Sequence, residues 1–137
     1  MERAGQTHFT AAASNPGARR TWRWLALTGV SVLGSADIAQ FVASNQGMLT
    51  SAPGRAAGSV LGLVLWLALT ALGLRGLLAA PSPALRRGTV AAAAVVAAGS
   101  VGLAGIHAAA HVGGLRPGLG AVLGLGALGL AVVAVRS

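Results

Sequence analysis

Two histidines, His107 and His111, stand four residues apart in GIHAAAHVGG, and one acid, Asp37, stands in LGSADIAQF with Gln40 three residues on. Imidazoles at i and i+4 share one face of a helix, where they can pass a proton or hold an ion in common. A carboxylate near them would complete a proton relay, a setting in which intramembrane acids and histidines recur. The same side chains, His107, His111 and Asp37, would offer a metal two nitrogens and an oxygen. The pair lacks the glutamate of the HExxH protease motif, however, and the chain has no cysteine, so neither a resident metal nor another cofactor is expected. A plainer reading competes with both. In it His111 is solvated, His107 bonds within the fold, and a neighbour satisfies Asp37.

Catalysis finds less footing. Ser35 and Asp37 are two residues apart on diverging faces and make no triad by themselves. The glycine-rich runs lack the lysine of a phosphate loop. Axial haem ligation needs histidines on facing helices, whereas His107 and His111 share one. The expectation is a protein that is not an enzyme.

The elements that would carry these residues follow from composition. The chain has 137 residues, 55% hydrophobic and 9% charged, against roughly 25% charged in soluble domains. Its apolar residues fall in long runs rather than on one face of amphipathic segments, which is the pattern of bilayer-spanning helices. The spacing predicts an all-α fold: a four-helix transmembrane bundle over 22–137, with helices at about 22–44, 56–80, 89–112 and 117–135, each near the 20 residues that a 30 Å hydrocarbon core requires. Residues 1–21, polar and small, read as a disordered cytoplasmic tail. Breakers separate the spans: Asn45-Gln46-Gly47 with Pro53-Gly54, then Pro81-Ser82-Pro83, then Gly113-Gly114 with Pro117. Pro117 is expected to open the last helix. The first span resembles a signal peptide in its arginines and apolar run, but its long polar lead and the later spans favour an uncleaved anchor.

Charge sets the orientation. The net charge is +8, and all ten basic residues are arginine. An Ala-, Gly-, Arg- and Val-rich chain without lysine suggests a GC-rich bacterial genome, hence a bacterial cytoplasmic membrane. With the amino terminus inside, Arg3, Arg19, Arg20, Arg23, Arg75, Arg86, Arg87 and Arg136 fall on the cytoplasmic side and only Arg55 and Arg116 outside, a positive-inside bias that puts both termini in the cytoplasm. Trp22, Arg23 and Trp24, with Arg86 and Arg87, are expected to anchor the inner interface, and Arg75 to snorkel. Arginines at the ends of apolar runs, without stacking aromatics beside them, are not a nucleic-acid surface. The expected partners are the lipid bilayer and a second copy or a larger membrane protein.

Depth places the polar groups. Asp37 lies about 20 Å above Trp24, past the bilayer midpoint, where an ionised carboxylate costs about 2.5–3.5 kcal/mol on insertion scales. It needs a partner or a proton. His107 lies about 27 Å above Thr89, near the outer interface, so an Asp37–His107 contact requires the first and third spans to adjoin; Arg116 is the rival. On the first span Thr28, Ser31 and Ser35 lie nearly opposite Asp37, Gln40 and Ser44, and are expected to bond to carbonyls one turn back. The third span, AAAAVVAAGSVGLAG, gains little from lipid and is expected to be held by its neighbours. Gly58/Gly62, Ala98/Gly102 and Gly120/Gly124 would allow close helix approach. In outline, one acid in the first of four short spans resembles the small multidrug exporters. Asp37 comes late in its helix and the spans carry few aromatics, so no residue role transfers. The function that follows is a non-catalytic packing or accessory module, with a proton- or metal-coupled small-solute transporter, acting as an oligomer, as the alternative.

Overall fold

A computed structural model describes residues 16–109 and 116–136. Among these residues five helices follow in order: α1 (Pro16–Ser44), the single turn α2 (Met48–Ser51), α3 (Pro53–Leu78), α4 (Pro83–Ala109) and α5 (Arg116–Val135). No strand occurs among the described residues. Four of the helices are long and apolar enough to cross a membrane.

Helices α1, α3 and α4 each begin on a proline, and Pro117 is the second residue of α5. Proline suits a first turn, whose N–H groups have no intrahelical partner and whose φ it presets. This moves the starts outward from the sequence expectation: Pro16 rather than 22, Pro53 rather than 56, and Pro83 rather than 89. Pro81-Ser82-Pro83, read from sequence as a breaker, also starts a helix, because the Leu85 N–H donates to Ser82 Oγ at 3.2 Å. Likewise residues 16–21, expected to be tail, are the first turns of α1, where Thr21 Oγ1 donates to the Gly17 carbonyl at 3.0 Å. At 29 residues α1 is about 44 Å long, so its arginine-bearing start runs past a 30 Å hydrocarbon core.

Each long helix packs on the next, and α5 closes back on α1; α1 and α4, and likewise α3 and α5, face each other across the diagonals. Short connections make neighbours antiparallel. The inward positions recur every three or four residues: Trp24, Leu27, Ser31 and Gly34 on α1; Trp66, Leu69, Gly73 and Gly76 on α3; Thr89, Ala93 and Val96 on α4; Ala127, Ala131 and Ala134 on α5. The interior is thus mostly Ala, Gly, Ser and Thr, while large aliphatics such as Leu33, Leu61, Leu78, Ile106 and Val122 face out. That is inside-out for water and natural for lipid, where close backbone approach, not burial of leucine, holds helices together.

The α1–α3 seam has one antiparallel register. Trp24 lies over Gly76, Thr28 over Gly73, Trp66 over Gly34 and Ile38 over Gly62. The two indoles therefore insert reciprocally, one from each helix, where the facing helix lacks a Cβ. On the α4–α5 seam, Gly124 sits against Ser100 and Ala97. Of the small-residue pairs named from sequence, Gly62 and Gly124 make such contacts, whereas a Cβ at Gly58, Gly102 or Gly120 would meet open space.

Candidate functional site

Thr28, Ser31 and Ser35 form the polar stripe on the inward face of α1, all buried. Their hydroxyls donate to the carbonyls of Trp24, Leu27 and Ser31 at 2.8, 2.8 and 2.9 Å. Thr89 does the same to Leu85 at 2.8 Å. These groups are satisfied inside their own helices, as expected of hydroxyls in an apolar interior, and offer no hydrogen-bonded chain between helices.

Asp37 and Gln40 lie on the other side of α1 from that stripe. Asp37 is half-buried and is not an isolated charge, and Gln40 is exposed. His107 belongs to the last turn of α4 by its backbone, with its side chain outside the described set, and His111 lies outside the described residues. Among the described residues α1 and α4 lie diagonally and make no close backbone approach, so the structure does not bring Asp37 and the backbone of His107 together. Arg116 opens α5, which is next to α1. No three His, Cys, Asp or Glu side chains gather to hold an ion among the described residues.

The basic end of the bundle is the more developed polar feature. The amino ends of α1 and α4 and the carboxyl ends of α3 and α5 meet there, bringing together Arg19, Arg20, Arg23, Arg75, Arg86, Arg87 and Arg136. Two of these arginines bind the end of α5: Arg86 Nη1 donates to the Val135 carbonyl at 2.9 Å and Arg23 Nη1 to the Val133 carbonyl at 3.4 Å. The last carbonyls of a helix have no intrahelical donor and carry its negative end, so a guanidinium there satisfies both. Sequence reasoning treated Arg23 and Arg86 only as headgroup anchors, because nothing local links residue 86 to residue 135.

The two tryptophans expected to anchor this interface part company. Trp22 is 68% exposed. Trp24 is fully buried against Gly76, a correction to its expected place among headgroups. Two residues along a helix turn 200°, so both cannot face outward; the gap over Gly76 takes the second. Trp24 Nε1 has no hydrogen-bond partner there.

Four apolar helices around a small-residue core, ringed by outward leucines and valines, define a multi-pass membrane protein. Comparison with protein-family models, curated proteins and solved structures finds no match for the chain.

Proposed function

We propose that this protein is a non-catalytic packing or accessory module of a bacterial cytoplasmic membrane, working beside a larger membrane protein or a second copy of itself. One observation carries the reading: inward side chains from all four long helices form one contiguous core. Trp24, Leu27, Trp66, Leu69, Ala93, Val96, Ala127 and Ala131 belong to a single contiguous core cluster. Two hollows among the described residues, one lined from α4 and α5 and one from α3, both lie open to the outside. A bundle packed this way supports neighbours better than it conducts a solute. The gathering of seven arginines at one end supports a cytoplasmic location for that end and for both termini.

The transporter reading draws on a different observation. Gln40 is exposed and Asp37 half-buried on one side of α1, where a pathway between subunits would run. Proteoliposomes containing a pH-sensitive dye separate the two. The accessory role expects proton flux equal to that of empty vesicles under an imposed gradient. Flux above that level, abolished by Asp37→Asn at unchanged protein content, would replace it with the transporter. Single cysteines introduced at 84 and 114 test sidedness, with labelling from outside expected at 114 alone.

A further inference from the structure

The arginine-bearing end holds a groove of about 520 Å³, lined by Arg86, Arg87, Val90, Ala91, Ala94 and Val135. Its two charges are at one end, in the first two turns of α4, and its wall is otherwise apolar. We propose that this groove holds one anionic phospholipid, the phosphate on Arg86 and Arg87 and an acyl chain along Val90, Ala91, Ala94 and Val135. The inference rests on the membrane location of the bundle.

Charge and shape both select this occupant. Arg86 gives one N–H to the Val135 carbonyl, which leaves four of the five donors of a guanidinium. Arg87, next to it, is exposed. Guanidinium is well matched to phosphate oxygens, and the amino end of a 27-residue helix adds its own positive potential. Asp37, the one acid among the described residues, lies on the far half of α1, so no carboxylate near the groove competes for its arginines. A free anion would leave the apolar wall unused, and a neutral lipid would leave the paired charges unmatched. The larger hollow at the same end, about 800 Å³, differs in kind: it lies along α3 alone and contains a single arginine, Arg75. It supplies an internal control.

Full-length protein in detergent is titrated with dioleoylphosphatidylglycerol, dioleoylphosphatidylcholine or inorganic phosphate, and bound lipid is counted by native mass spectrometry. One phosphatidylglycerol per chain is expected, held more tightly than phosphatidylcholine. Arg87→Gln, which leaves the Arg86–Val135 bond in place, should weaken it about fivefold, the loss of one arginine near a phosphate. Ala94→Phe should block it with every charge retained, and Arg75→Gln should leave it unchanged. Equal affinity for the two lipids would overturn the proposal. So would an Arg75→Gln effect as large as that of Arg87→Gln, which marks diffuse attraction, or displacement of the lipid by equimolar phosphate. Recovery of the chain from a detergent-free supernatant would overturn the membrane reading as well, whereas loss of lipid preference in a membrane-extracted protein removes the groove alone.

Discussion

The ring of Trp24 occupies the position over Gly76 that a Cβ would take. A fully buried indole cannot swing aside as the tip of a lysine can. Adding a methyl at residue 76 must therefore push α1 from α3. Ordinarily Gly→Ala within a helix favours folding by up to about 1 kcal/mol through backbone entropy. At Gly76 the overlap should reverse the sign, with a net loss of about 1–3 kcal/mol as in other overpacked cores. Gly34→Ala, under Trp66, should behave alike. Gly58→Ala, where a Cβ meets open space, should be neutral or mildly stabilising. Thermal unfolding in one detergent orders the three variants, and equal midpoints for Gly76→Ala and Gly58→Ala would refute the seam.

Trp24 carries opposed contributions. Its ring fills the seam, yet Nε1 is buried without a partner, a state that costs about 1–3 kcal/mol. Phenylalanine removes that N–H and part of the ring, so the two effects offset, and Trp24→Phe should change stability by less than about 1 kcal/mol. Trp24→Ala removes the whole knob and should cost about 3–5 kcal/mol. Similar losses from both substitutions would show that the N–H is satisfied by a group such as water.

What the sequence made legible was set by local physics. Run length and hydropathy give four spans because lipid thickness acts on each helix separately. The inward Thr28–Ser31–Ser35 stripe is likewise visible, since helical periodicity and hydroxyl back-bonding need only one helix. The helix starts at Pro16, Pro53 and Pro83 were available in the first-turn preference of proline, but an apolar-run reading stops at the hydrocarbon edge. The seam was hidden: small-xxx-small spacing found Gly62 and missed Gly34, Gly73 and Gly76. Their signal is a partner in antiparallel register, with Trp opposite Gly on the facing helix, and that register exists only after α1 and α3 dock. The Arg86–Val135 bond and the diagonal placement of α1 and α4 are tertiary in the same sense. For the candidate site, the faces of Asp37 and Gln40 were readable, whereas which helix lies beside them was not.

The Arg86 bond to Val135 should be visible as local order. Charge-assisted hydrogen bonds to the end of a helix contribute about 1 kcal/mol. Arg86→Gln should accordingly speed amide exchange at the last turn of α5 several-fold while leaving the middle of the helix unchanged. Arg87→Gln, which keeps the 2.9 Å bond, should not. The Arg23 bond is longer, at 3.4 Å, so Arg23→Gln should have the smaller effect on the same amides. Hydrogen exchange by mass spectrometry measures all three, and uniform acceleration along α5 in Arg86→Gln would point to global destabilisation instead of a frayed end.

Asp37 offers the sharpest test of helix order. Its two prospective partners lie on different helices: Arg116 starts α5, adjacent to α1, whereas His107 ends α4, across the diagonal. Residues that share a contact or a network couple by about 0.5–3 kcal/mol, while distant ones add independently. Only a helix beside α1 can bring a side chain to Asp37, so Asp37→Asn and Arg116→Gln are the pair expected to be non-additive in thermal stability, the double variant losing less than the sum of the singles. Asp37→Asn and His107→Ala should add. The reverse pattern would place α4 beside α1 and break the ring order of the bundle. It would also restore the acid–imidazole pair on which a proton relay depends, so a single pair of cycles decides between the packing arrangement and the chemistry that His107 first suggested.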